Sequence, residues 1–283
     1  DERVIFAGLN EPGVGGASSD AKGSLMLGNQ WSPSDADLKK FTDRLVEYEN
    51  VFVDAVRATG GNNAKRVLVV QGPMTNIGYT VKHFDASRIK DTAKDRLMVE
   101  IHSYDPYNFC QNTDAKTAYY YWVGHAPKRA TKFSTRQDEQ SIKDNFASLN
   151  TAFVDKGYPV ILGEYGAIRR TLSVSEGDQA KHDESRQYWY QLITAEAMQD
   201  GVIPFVWDTN ATGSNTLTVI NRRDGSVFDQ CDLSGITAGV GEAKEDYKSI
   251  FPAPPTTDIS PVSAGKSSGG NVYDLCGRVV KSH

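Results

Sequence analysis

The chain has 283 residues, 31 Lys and Arg against 36 Asp and Glu, and a net charge of −5. That balance argues against a protein that holds nucleic acid by displacing counterions from phosphates. Hydrophobic residues make up 39% of the sequence, but the longest apolar runs are far shorter than the roughly 20 residues of a membrane helix, so no membrane association is expected. Cys110, Cys231 and Cys276 are widely spaced and odd in number, which suits neither a disulfide framework nor a CxxC metal site and leaves room for one bridge at most. No charged, apolar leader precedes the first strand, so an export signal, if there is one, has been removed or lies outside this sequence.

Short β-branched runs at residues 4–9, 67–71, 97–102, 160–163 and 202–207 predict strands buried on both faces. Helical patterns fall between them. Residues 37–59 place Leu38, Phe41, Leu45, Phe52 and Val56 on one stripe, with Ser34 as cap and Gly60 and Gly61 as the stop. Residues 140–156, ended by Gly157, and residues 185–200, ended by Gly201, predict two more helices, with Trp189 in the core. Alternating strands and helices imply an α/β fold with parallel strands and right-handed crossovers, either a barrel or a doubly wound sheet. No G-x-G-x-x-G opens a helix after a strand, so a dinucleotide site has no support and no cofactor is expected. His83, His125 and His182 lack a matching ligand set, so no metal site is expected either. Residues 1–250 hold about five strand and helix units of about 50 residues each, against about 250 residues for a lean eightfold barrel. From 251 to 283 the composition turns to Pro, Ser, Thr and Gly, a linker and tail ending in a short strand-turn-strand pattern from Val272 to Val280.

In α/β folds ligands bind at the carboxyl ends of strands, and four of these strands end in polar or aromatic residues. They read Asn10-Glu11-Pro12, His102-Ser103-Tyr104, Gly163-Glu164-Tyr165-Gly166 and Trp207-Asp208. In that order, with a strand behind each, they resemble glycoside hydrolase family 5, the retaining β-glycanases with an eightfold barrel. The stretches Val53-Asp54-Ala55-Val56-Arg57 and Tyr107-Asn108-Phe109-Cys110 also resemble the endoglucanase branches of that family.

The resemblance implies an incomplete (β/α)8 barrel over residues 1–250 and an endo-acting β-1,4-glucanase of cellulase type, with Glu11 as acid/base and Glu164 as nucleophile. Retaining hydrolysis needs two carboxyl groups about 5 to 5.5 Å apart, one protonated and one ionised. Tyr104 is the candidate donor to Glu164. Glu11 is expected to gain a raised pKa from burial and from the neighbouring charge. Asn10 and His102 are candidates for sugar hydroxyls, His102 also for positioning Glu11. Trp207 offers a face for a sugar ring, Asp208 and Asn210 are candidate hydroxyl partners, and Trp31 and Trp122 are candidate sugar platforms. The implied partner is a β-glucan and the implied location is secreted, periplasmic or cell-surface, in a bacterium.

Family members carry an Arg and a His on their second and third strands, and nothing before Asp1 matches those strands. The resemblance therefore implies either a fragment that begins just before the family's fourth strand or a natural part-barrel; in both, two edge strands are open, and the chain is expected to aggregate or to bury those edges by self-association. It also implies an alternative function, binding of β-glucan without turnover. An unrelated aldolase or isomerase barrel would need a Lys or a phosphate site at a strand end, and no strand end here has a Lys.

Overall fold

The computed structural model describes residues 4–14, 32–250, 272–273 and 279–280, with the side chains of 244–250, 272–273 and 279–280 left aside. The chain divides into two units, residues 1–250 and 251–283. In the second, β6 (Val272–Tyr273) pairs antiparallel with β7 (Val279–Val280), where a strand-turn-strand pattern is expected.

The first unit runs β1 (Phe6–Ala7), α1 (Asp35–Ala58), β2 (Leu68–Asn76), α2 (Ile77–His83), β3 (Leu97–Ser103), α3 (Tyr107–Cys110), α4 (Arg136–Ala152), β4 (Val160–Tyr165), α5 (Gln179–Gln199), β5 (Val202–Val206) and α6 (Gln230–Ile250). The five strands are parallel and lie in sequence order, forming an open half-barrel of the (β/α)8 type. Each predicted strand is present. Val69, Val99, Val160 and Leu162 in the central strands are buried, whereas at the two open edges Ile5 before β1, Phe6 in β1 and Phe205 in β5 are exposed. A strand with a neighbour on one side only has half its flank uncovered.

The helices start and stop where their caps dictate. The Ser34 hydroxyl accepts the Asp37 N–H at 3.1 Å and opens α1, and Gly60 and Gly61, at φ 67° and 56°, end it. Thr135 and Asp138 form a capping box that starts α4 four residues before the predicted boundary. Asp178 caps α5, which begins six residues before its expected start because Lys181-His182-Asp183-Glu184 reads as surface although His182 is fully buried.

The long α6 is absent from the sequence reading because it lacks a strong apolar stripe. Gly235 and Gly239 let it lie directly on α5: a Cβ at 235 would stand 2.2 Å from the Gln187 carbonyl oxygen. Arg186 of α5 donates to Asp232 of α6 at 2.5 Å across the same contact. Cys110 and Cys231 are both free thiols, so they do not form a bridge with each other, and Cys276 lies outside the described residues.

Candidate active site at the strand ends

Two irregularities in the sheet bring the polar strand ends together. The β3–β4 register shifts between Ile101 and His102, so that His102 pairs with Glu164 and Ser103 with Tyr165. The β2–β3 register shifts between Gln71 and Asn76, where Met74 and Thr75 take φ of 56° and 49°. The Met74 N–H at that bulge donates to the Pro12 carbonyl at 2.8 Å, which ties the turn after β1 to the mouth of β2. Glu11 in that turn takes φ 46°, an uncommon conformation for a residue with a side chain, and its carboxylate is carried over β2 to β3.

Glu11, His102 and Glu164 therefore converge, with one ligand atom from each within 4.8 Å of the others. His102 Nδ1 is 2.9 Å from Glu11 Oε1 and 3.5 Å from Glu164 Oε2. The Tyr104 hydroxyl donates to Glu164 Oε2 at 2.7 Å. On the opposite edge of the ring, His102 Nε2 is 3.4 Å from Glu100 Oε1. Burial pushes the His102 imidazole towards its neutral form, but the hydrogen bonds to Glu100 and Glu11 and the negative field of Glu164 and Glu100 outweigh it and raise its pKa to about 9. Burial and the bond to Glu164 push the Tyr104 hydroxyl pKa far up, so it stays a donor.

The cluster has donors of the type that ligate metals. Its geometry is nonetheless accounted for by protons alone, since every contact pairs a carboxylate with a ring nitrogen or a hydroxyl. A cavity of about 230 Å³ opens beside it, lined by Glu11, Met74, Asn76, His102, Tyr104 and the exposed Tyr107 among others. A larger hollow of about 730 Å³, lined by Tyr120, Tyr121, Lys132 and Asp178 among others, contains none of the strand-end residues.

The other expected site residues divide. Asn10 is exposed on the turn beside Glu11, and Trp207, 45% exposed, stands at the end of β5 with its N–H bonded to the Tyr165 carbonyl. Trp122 is not a sugar platform: it is fully buried, its ring 5.6 Å from that of Phe109, because the loop after β3 folds its aromatic run into the core. Asp208 is not free for a sugar hydroxyl, since its Oδ2 accepts the Val219 and Ile220 N–H groups and its Oδ1 accepts the Asn210 N–H. Asn210 is exposed, and its Oδ1 accepts the Arg222 N–H at 2.9 Å. Both organise the loop after β5. Trp31 lies outside the described residues. Glu100 has no expected role in the sequence reading, although a carboxylate two residues before His102 in an otherwise apolar strand marks the same face of the sheet.

A family model described as cellulase (glycosyl hydrolase family 5) matches residues 1–213. The chain belongs to glycoside hydrolase family 5. Endoglucanase A of Paenibacillus barcinonensis is 30% identical over 253 residues, covering 85% of this chain and 56% of that protein. The xyloglucan-specific endo-beta-1,4-glucanase of Bacteroides ovatus is 29% identical over 240 residues, covering 85% and 43%. A crystal structure of a family 5 xyloglucan-specific beta-1,4-glucanase from a ruminal metagenomic library, in complex with XXLG, superposes with a TM-score of 0.72 at 40% identity, covering 86% of this chain and 59% of that one. This family 5 chain thus spans about half the length of the curated relatives it matches. Among its described residues no helix is long and apolar enough to cross a membrane.

Proposed function

We propose that this family 5 chain carries the reacting pair of a retaining, endo-acting hydrolase of β-1,4-linked glucan. The observation that supports the reading is that Glu11, from the turn after β1, and Glu164, from β4, each bring a carboxylate oxygen within 4.8 Å of the other at the mouth of the half-barrel. Carboxylate oxygens this close are in keeping with the shorter carboxyl spacing of retaining enzymes, about 5 to 5.5 Å, rather than with the wider spacing of inverting ones. In the first step a Glu164 oxygen attacks the anomeric carbon, the glycosidic C–O bond breaks, and the leaving oxygen takes a proton from Glu11. In the second, water attacks the same carbon, gives its proton to Glu11 and releases Glu164 from the glycosyl ester.

The remaining residues serve that exchange. Tyr104 fixes one Glu164 oxygen and so aims the other. In this reading Asn10 hydrogen-bonds the hydroxyl next to the anomeric carbon, and Trp207 covers the apolar face of a bound ring. Two of the similar proteins are named for xyloglucan, whose backbone is also β-1,4-glucan, and the substrate is proposed at the level of that backbone. A polymer of this kind cannot enter a cell, which makes a secreted or surface location part of the same proposal.

Release of reducing ends from carboxymethyl-cellulose and xyloglucan tests the reading, with the first-formed anomer followed by NMR. Glu11→Ala and Glu164→Ala are each expected to lower turnover by at least about 10²-fold, and the first product is expected to be the β-anomer. An α-anomer, or activity that survives both substitutions, refutes it. Saccharide binding without turnover in the unsubstituted chain decides for the alternative, a glucan-binding part-barrel.

A further inference from the structure

We propose that Glu100 is a positioning residue for this site: its carboxylate, seated between Gln71 and Gly163, fixes the orientation of His102 and keeps a proton on both ring nitrogens, so that an imidazolium stands between Glu11 and Glu164. The proposal rests on the reading of Glu11 and Glu164 as the reacting pair.

The seat is built from three strands. Glu100 and His102 are two apart in β3 and share the face opposite to the buried Ile101. Burying a carboxylate in an apolar strand is unfavourable by several kcal/mol unless its oxygens are partnered. Glu100 Oε2 accepts the Gln71 side-chain amide at 2.5 Å, and Oε1 faces His102 Nε2. Gln71 is fixed in turn, with its backbone N–H bonded to Glu49 Oε1 at 2.8 Å. On the β4 side the absence of a side chain at Gly163 makes the room: a Cβ there would stand 1.9 Å from Glu100 Oε1 and 2.8 Å from its Cδ. A side chain at 163 would meet the carboxylate and force it to shift.

The charge on His102 follows from what surrounds it. The groups facing the ring are Glu11 from the turn after β1, Glu164 from β4 and Glu100 from its own strand, while Tyr104 is turned to Glu164. Glu100 presents a carboxylate oxygen to the Nε2 edge, and Glu11 presents Oε1 to the Nδ1 edge, an oxygen that still accepts when the proton Glu11 donates in hydrolysis is carried on Oε2. A neutral imidazole donates from one nitrogen only and would leave one edge with two acceptors face to face. The cation satisfies both. Without Glu100 the Nε2 edge has no anion, and the ring is free to lose that proton or to turn over.

Side-chain NMR of the histidine-labelled chain reads the ring state directly. His102 is identified by the signal lost in His102→Gln. In the unsubstituted chain it is expected to titrate well above pH 7, and Glu100→Gln is expected to lower its midpoint by about one to three pH units. Gly163→Ala displaces the same carboxylate and is expected to move the midpoint in the same direction, as is Gln71→Leu. These two carry the test if Glu100→Gln does not fold. A midpoint near that of a free histidine in the unsubstituted chain, or one that stays put in the folded variants, overturns the proposal. Because titration needs no turnover, a chain with a shifted His102 and no hydrolysis would refute the hydrolase reading and leave the Glu100 assignment standing.

Discussion

His102 should make the stability of the fold depend on pH in a narrow and unusual window. The ring is 3% exposed, so solvent screening does little to weaken its contacts with the three carboxylates. Its pKa rises from 6.5 to about 9 on folding. A raised value means that the folded chain keeps a proton that the unfolded chain has already released. The stabilisation is therefore complete below pH 6.5 and is lost as pH climbs through about 9. At about 1.4 kcal/mol per unit, a shift of that size is worth about 3 kcal/mol, a large share of the stability of an ordinary domain.

Urea unfolding of the unsubstituted chain and of His102→Gln at intervals between pH 6 and 10 measures the effect. Other titrating groups are common to both chains and largely cancel in the difference. The gap between the two is expected to stay flat below pH 6.5, shrink by about 1.4 kcal/mol per pH unit across the middle of the window, and level off above pH 9. A gap that is constant across the whole range would show that His102 holds no extra proton in the fold, and would remove the electrostatic account of the site with it.

Glu49 should act in an adjacent window. It is fully buried, its Oε2 has no hydrogen-bond partner among the described residues, and burial pushes its pKa up to about 7. The folded chain holds that proton between pH 4.5 and 7, so stability falls as pH rises through this range, and Glu49→Gln should be more stable than the unsubstituted chain by about 3 kcal/mol above pH 7, as read by urea midpoints. Gly235→Ala drives a methyl into the Gln187 carbonyl and should lower stability by about 1 to 3 kcal/mol in a thermal melt, with the α5–α6 contact strained. Ser34→Ala removes the cap of α1 and should cost about 1 kcal/mol, with hydrogen exchange accelerated in the first turn of that helix.

What the sequence discloses follows from how local the physics is. Central strands such as residues 67–71 and 160–163 are legible because a strand covered on both faces must be apolar throughout, and α1 is legible because its cap, stripe and glycine stop all lie within one stretch. Glu11, His102, Tyr104 and Glu164 stand out as polar residues at the ends of apolar strands, but it is the resemblance to family 5 that singles them out as a set, and the structure brings their side chains together. Trp122 misleads because an aromatic in a polar loop reads the same whether the loop points out or folds in. Asp208 misleads because a carboxylate that ties its own loop 11 and 12 residues away looks no different from one that waits for a ligand. Glu100 and Gly163 acquire meaning only together, through a lateral contact between β3 and β4 that no spacing along the chain encodes.

The site also shows why its backbone departs from regular structure where it does. Glu11 precedes Pro12, a position that favours extended backbone, yet it takes φ 46°, a conformation that costs about 1 to 3 kcal/mol and persists only when surrounding contacts impose it. Those contacts are present: the Val14 N–H closes a turn onto the Glu11 carbonyl, the Met74 N–H holds the Pro12 carbonyl, and His102 holds the carboxylate. Met74 can donate to Pro12 only because β2 has left its register with β3, and His102 lies beside Glu164 only because β3 has shifted against β4. A regular extension of the same strands would alternate side chains strictly and send neighbouring polar ends to opposite faces. The shifts break that alternation at the mouth of the half-barrel, and the Met74 N–H left out of the ladder pins the turn carrying Glu11.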